Sequence, residues 1–255
     1  MFAILLIVHG IQAQKKETRN VDTFDEVSFR IPGKLYLRQG TSQKVELQGD
    51  NLEKIKTNVE GNRLVIETEG KWLDWSWNDD DIIVYITMKD ITGLSVGGSG
   101  ELVAQTKITA SDLDLRVSGS GSLKAEIEAS GKLSADVSGS GGMDIKGNSR
   151  DFGSSVSGSG KVVADQLNAE SMRLSVSGSG KIQAGGVTKT IKVNVSGSGR
   201  ILAANLETER CDIHISGCTQ REGFRQISAR APDVGAHRTR ASRRNEACHE
   251  EVFGT

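Results

Sequence analysis

The chain is poor in the residues that usually build a thick core. Proline occurs only at Pro32 and Pro232, cysteine at three positions, and aromatic residues make up 4% of 255 positions. So little proline excludes a proline-rich linker or a collagen, and so few bulky side chains disfavour a Leu-rich helical bundle. Neither sign of charge dominates: 32 basic residues face 33 acidic ones. That balance argues against a nucleic-acid binder, which lives on phosphate contacts. No apolar run approaches the roughly 20 residues of a membrane helix. The chain is rich in glycine, with 30 residues, and a thin-cored β protein or a disordered chain remains.

The one apolar run lies at the start, from Met1 to Ala13. It fits the back half of a secretory signal, with a small residue, Ala13, before a plausible cleavage point. A positive leading region is missing, so residues 1–14 read as a signal-peptide remnant truncated at its start. A buried first strand is the competing reading. No cysteine follows the run to take a lipid. The expected compartment is therefore outside the cytoplasm: periplasm, outer-membrane surface or extracellular space.

A repeat dominates the rest. Val117-Ser118-Gly119-Ser120-Gly121 recurs from Val137, Val156, Val176 and Val195; a variant starts at Val96 and a broken copy at Ile215. Successive spacings are 21, 20, 19, 20, 19 and 20 residues. A period this regular marks a repeat architecture, not a flexible Gly/Ser tether. Apolar residues alternate on both sides of each motif, as in Leu113/Leu115 before it and Leu123/Ala125 after it. That is strand periodicity.

Each unit reads as strand, turn, strand, glycine corner, with Gly131, Gly147-Asn148, Asn168 and Gly185-Gly186 at the intermediate turns. One such unit cannot bury a face alone, but stacked units bury equivalent positions as ladders. The expected fold is all-β: a parallel β-solenoid (β-helix) with coils of about 20 residues. Parallel crossovers make it right-handed. The corner glycines answer either to a left-handed backbone or to crowding. The serines between them (Ser120, Ser140, Ser159, Ser179, Ser198) either stack along the axis or face water.

Residues 20–95 keep the alternation without the motif. Val27/Phe29/Ile31 and Leu35/Leu37 predict two strands around Pro32-Gly33, and Val45/Leu47, Leu64/Ile66 and Ile83/Tyr85 or Val84/Ile86 predict more. These read as irregular first coils forming an N-terminal cap, within one domain over 20–217 whose regular coils span 96–217. A separate small β domain is the other reading.

The stretch Phe24-Asp25-Glu26-Val27 through Gly40, then Val45-Glu46-Leu47, Gly49-Asp50-Asn51-Leu52 and Gly61-Asn62-Arg63-Leu64-Val65-Ile66, precedes the repeats. In that combination the chain resembles the putative auto-transporter adhesin, head GIN domain family of exported bacterial proteins. The resemblance spans roughly residues 20 to 217. It implies a β-helix and an envelope or surface location, and offers no catalytic motif.

Lys71-Trp72-Leu73-Asp74-Trp75-Ser76-Trp77-Asn78-Asp79-Asp80-Asp81 holds all three tryptophans. Between two strand-like segments it reads as a protruding loop. Trp72, Trp75 and Trp77 suit stacking on sugars or anchoring a protein; Asp79, Asp80 and Asp81 offer oxygens for calcium but lack the spacing of a calcium loop. The plainer reading packs the tryptophans over the solenoid end and leaves the aspartates solvated.

No catalytic constellation emerges. His214 alternates with inward Ile213 and Ile215, and Glu101, Glu126, Glu128, Asp136 and Asp144 are scattered outward. Glycosidases need clustered carboxylates, and the Gly-Ser motifs are neither phosphate loops nor nucleophile elbows. No cofactor or metal is expected. Cys211 falls on the ladder of Met172 and Ile191 and reads as a small buried hydrophobe. Cys211, Cys218 and Cys248 have no metal-ligand spacing.

Beyond Gly217 the composition changes. Residues 1–217 hold 16 Lys and 9 Arg, whereas residues 218–255 hold 7 Arg and no Lys. The segment 218–255 reads as a disordered Arg-rich tail, either a frameshift product or a genuine tail for an anionic surface. The functional expectation is a non-catalytic, exported envelope or surface interaction module whose partner is an unknown envelope protein or glycan. A structural protein that self-associates into homo-oligomers through solenoid ends is one alternative; a glycan-active enzyme is another.

Overall fold

The computed structural model describes residues 15–69 and 82–216. The signal segment, the loop residues Trp72, Trp75, Trp77, Asp79, Asp80 and Asp81, and the tail with Cys218 and Cys248 lie outside the described residues.

Strands β11 (Leu113–Gly119), β12 (Ser122–Ala129), β13 (Lys132–Gly139), β14 (Gly142–Gly158), β15 (Lys161–Gly178), β16 (Lys181–Gly197) and β17 (Arg200–Ser216) build the regular part. The chain is a parallel β-solenoid of about six turns, each of about 20 residues. One parallel column joins Val117, Val137, Val156, Val176, Val195 and Ile215, the leading residue of each motif. Side chains two positions earlier form a second column, Leu115, Ala135, Ser154, Leu174, Val193 and Ile213. Ser154, the polar member, is buried and donates its hydroxyl to the Ala135 carbonyl at 3.1 Å. That bond removes the cost of a polar group inside.

From β8 (Gly93–Gly98) onward the coils have three sides. The short strand β10 (Ile108–Ala110) starts a third ladder that continues through Ile127–Ala129 of β12 into the Gly147-Asn148 region of β14. From β14 onward the sides run together as strands of 17 or 18 residues. The expected turns at Gly147-Asn148, Asn168 and Gly185-Gly186 become irregularities inside a continuous strand, near register shifts at Asp144/Lys146, Ala164/Ala169 and Gln183/Gly185. A bulge bends a strand without ending its ladder.

The early coils are stacked out of sequence order. β2 (Glu26–Phe29) is hydrogen-bonded on one side to β6 (Arg63–Thr68) and on the other to β8 (Gly93–Gly98). β3 (Lys34–Gln39) likewise sits between β7 (Ile83–Met88) and β9 (Glu101–Ala104). The coil made first is thus enclosed by two made later, and Ile66, Phe29 and Val96 extend the motif's inner column. Beyond it the direction reverses. β5 (Ile55–Glu60) pairs antiparallel with β6, while β4 (Lys44–Gln48) pairs antiparallel with β7 and carries β1 (Lys16–Arg19). These antiparallel strands cover the N-terminal end. One apolar cluster runs continuously from Phe24 to Leu206.

Candidate interaction surface

The motif's two glycines do different work. The first adopts a left-handed backbone, with φ between 101° and 113° at Gly119, Gly139, Gly158, Gly178 and Gly197, where a side chain is strained. The second points inward: a β-carbon on Gly121 would stand 2.7 Å from Cγ1 of Val96 and 2.6 Å from the Gly100 carbonyl. Left-handed turn and crowded core are therefore both present, two residues apart. The corner backbone is tied from coil to coil, since Ser140 N–H donates to Gly119 O and Ser159 N–H to Gly139 O, both at 2.9 Å.

That arrangement turns the serines outward. Ser118, Ser138, Ser157, Ser177 and Ser196 form one exposed column, and Ser120, Ser140, Ser159, Ser179 and Ser198 are exposed beside it. Each hydroxyl can both donate and accept, so the corner is a regular, hydrophilic ridge on a rigid backbone.

The scattered carboxylates are mostly tied to cations. Glu101 meets Lys124 at 3.6 Å, and Glu126 meets Lys146 at 3.2 Å and Lys107 at 3.7 Å. Glu128 accepts from Asn148 Nδ2 at 3.0 Å, and Asn148 Oδ1 from Asn168 Nδ2 at 3.1 Å, a short amide ladder along one face. Asp136 differs: burial, and secondarily the Asp114 charge, push its carboxyl above the ordinary aspartate range. Asp114 is itself ion-paired with Arg116. Among the described residues no three His, Cys, Asp or Glu side chains group as metal ligands, and no helix is long and apolar enough to cross a membrane. His214 is exposed on β17, in register with Asn194.

Cys211 corrects one expectation. It pairs in register with Ile191, as its place in the repeat requires, yet it is exposed. Among the described residues β17 is the last strand, and none of them lies over Cys211 on its outer edge. The coil beneath still desolvates the thiol enough to raise its pKa, with Asp212 adding to the effect.

The loop that the sequence singles out has a defined point of departure. Residues 70–81 join β6 to β7, where the other coils carry their glycine corner. The flanks are held: Glu69 N–H donates to Lys54 O at 2.8 Å, and Lys34 N–H to Ile82 O at 3.0 Å. Sequence reading passed over the position after each motif's last glycine, which in the later coils is Lys161, Lys181 and Arg200. Aligning the repeats on that glycine would have shown it.

Stacked three-sided coils, a serine-glycine ridge and an antiparallel cap define a parallel β-solenoid with repeated outward columns. The chain belongs to the family described as "Putative auto-transporter adhesin, head GIN domain", whose model matches residues 23–185 and 148–231. Among solved structures it is similar to one from Bacteroides fragilis described as a "putative adhesin", at 20% identity and a TM-score of 0.70, covering 82% of this chain and 95% of that one. A Parabacteroides distasonis protein described as a "Putative lipid binding protein" gives 19% identity and a TM-score of 0.67, with 83% and 92% covered. A second protein of that organism, a "putative adhesin", gives 23% and 0.58, with 81% and 95% covered. At such identities the likeness is one of fold. No curated protein matches the chain.

Proposed function

We propose that the protein is a non-catalytic, exported envelope or cell-surface module that works by binding, in the manner of an adhesin. The observation that carries this reading is membership of the head GIN adhesin family by a chain whose fold repeats the same outward residues coil after coil. Repeated columns on a rigid stack favour recognition of an extended partner over turnover of a small one. Glu101, Glu126 and Glu128, three of the outward carboxylates, are engaged by lysines rather than free for hydrolysis. The loop with Trp72, Trp75, Trp77, Asp79, Asp80 and Asp81 is a second contact element in this proposal, because its flanks leave from the outermost parallel coil.

The test is attachment. Beads coated with the full chain are expected to bind bacterial or host envelopes saturably, and W75A/W77A to weaken that binding. Absence of attachment, or release of products from a polysaccharide, overturns the reading.

One observation favours a second reading, structural self-association. The N-terminal end is covered by antiparallel strands, whereas among the described residues β17 carries no strand on its outer edge. An unpaired edge is a template for another chain. Concentration-dependent oligomers in sedimentation, without envelope binding, would select it.

A further inference from the structure

We infer that the serine-glycine ridge of the later coils binds a linear acidic polysaccharide through a column of unpartnered cations. Lys161, Lys181 and Arg200 occupy successive rungs of one ladder, in register. The same ladder carries Glu101, Ser122 and Gly142 in earlier coils. On the other flank of the serines, Arg173 and Lys192 are likewise adjacent rungs. Between the two flanks lie the hydroxyls of Ser157, Ser177 and Ser196 and those of Ser159, Ser179 and Ser198.

The column of Lys161, Lys181 and Arg200 has no acidic residue on its adjoining rungs from Gly142 onward, whereas on the other flank Lys192 has Asp212 as its next rung. In the earlier coils Lys124 holds Glu101, Lys146 holds Glu126, Arg63 holds Glu26 at 2.5 Å and Arg30 holds Glu67 at 3.3 Å. Lys161, Lys181, Arg200, Arg173 and Lys192 make no side-chain hydrogen bond or ion pair with any described residue. The outward neighbours on the far side of the column are Val163, Gln183 and Leu202, none of them acidic. Like charges directly opposite on neighbouring strands repel. A column of three therefore costs stability that a bound polyanion would return.

The spacing selects the ligand. Rungs repeat at about 4.8 Å, comparable to the rise of one sugar along a linear polysaccharide, so one carboxylate or sulfate per sugar can meet one cation per coil. The serine hydroxyls beside them match sugar hydroxyls as donors and acceptors. A nucleic acid fits less well. Single strands are held by aromatic stacking, and among the described residues the one exposed large hydrophobic is Val187, outside this ridge. This inference names a face and a ligand class for the interaction module proposed above, and rests on it.

The experiment uses the full chain, polygalacturonate and heparin as probes, and neutral dextran as control. Binding to both acidic polymers is expected, weakening as salt screens the charges, with none to dextran. The triple variant K161Q/K181Q/R200Q should bind at least about tenfold more weakly, while K124Q/K146Q, which removes ion-paired cations of the earlier coils, should bind as the parent does. The seven arginines of residues 218–255 are common to all these chains, so the comparison isolates the column. A thermal melt confirms that the triple variant folds. Undiminished binding by it, absence of binding to either acidic polymer at low salt, or equal binding of single-stranded DNA would overturn the inference. Envelope attachment that persists when acidic polymers do not bind would sink this inference alone, whereas loss of attachment altogether would sink the broader reading.

Discussion

Gly180 lies directly against Val156 of the preceding coil: a β-carbon at Gly180 would overlap Cγ1 of that valine, and its next neighbour would be the Gly160 carbonyl oxygen at 2.9 Å. Two residues earlier, Gly178 has φ of 110°, and a β-carbon there would face only backbone, 2.8 Å from Gly158 O. The two glycines therefore fail in different ways when replaced. Gly178→Ala should destabilise by about 1–3 kcal/mol through backbone strain, and Gly180→Ala by about 1–3 kcal/mol through overpacking. Adding Val156→Ala should offset part of the second loss and none of the first. Denaturant melts of the parent, the three single variants and the two doubles with Val156→Ala form two double-mutant cycles; equal coupling at both glycines would refute the division of roles.

The enclosure of β2 between β6 and β8 bears on how the chain unfolds. We propose that residues 20–217 form one unit, because the first coil cannot leave without breaking ladders on both its edges. Leu115→Ala, in the regular coils, should cost about 2–5 kcal/mol and lower the melting midpoint of the early coils equally. Amide exchange followed on β3 and β7, where Tyr36 and Tyr85 stack at 5.6 Å, reads the early coils directly. An unchanged midpoint there would favour two separate domains.

Asp136 supplies a pH dependence. Its folded pKa lies above the ordinary aspartate range, chiefly through burial, so the folded chain holds the proton more tightly than the unfolded one. Its contribution is favourable below the unfolded pKa and is lost as pH rises through the folded value. Asp136→Asn should therefore melt higher than the parent at pH 7, with the gain shrinking toward zero as pH falls to the unfolded pKa. Glu46 has the opposite sign, since Lys44 and Lys16 lower its pKa and its contribution fades in acid. A parent that melts higher than Asp136→Asn at pH 7 would contradict the burial of this carboxylate.

Cys211 should be open to reagents while the chain is folded. In a C218S/C248S background, a disulfide-exchange reagent is expected to label it without denaturant. Because its pKa is raised and the thiolate is the reactive form, labelling at pH 7 should be slower than for an unstructured cysteine and should accelerate with pH. Protection until global unfolding would mean that another segment covers β17.

Much of the solenoid was legible because its physics is local and repeated. The alternation around the motif and the need for glycine at the corner are visible in Leu113–Gly121 alone, and the spacing of the successive copies supplies the period of about twenty residues. The third ladder at Ile108–Ala110 was not, since three residues carry no periodicity and the later turns dissolve into bulges. The buried reading of Cys211 failed for a related reason: a repeat says which way a residue points, but not whether another coil lies above it. The cation column was within reach of the sequence, and went unnoticed because single lysines between strands look like ordinary solvated charge.

The sequence by itself determined the coil: its length, its inward and outward residues, and the glycine at its corner, all properties of neighbouring residues that every copy restates. Only the tertiary structure decided the order in which the early coils stack, placing Phe29 between Ile66 and Val96 and turning β4 and β5 antiparallel over the N-terminal end. Strand pairing between distant segments depends on which edges remain free when each coil arrives, and no single segment encodes that.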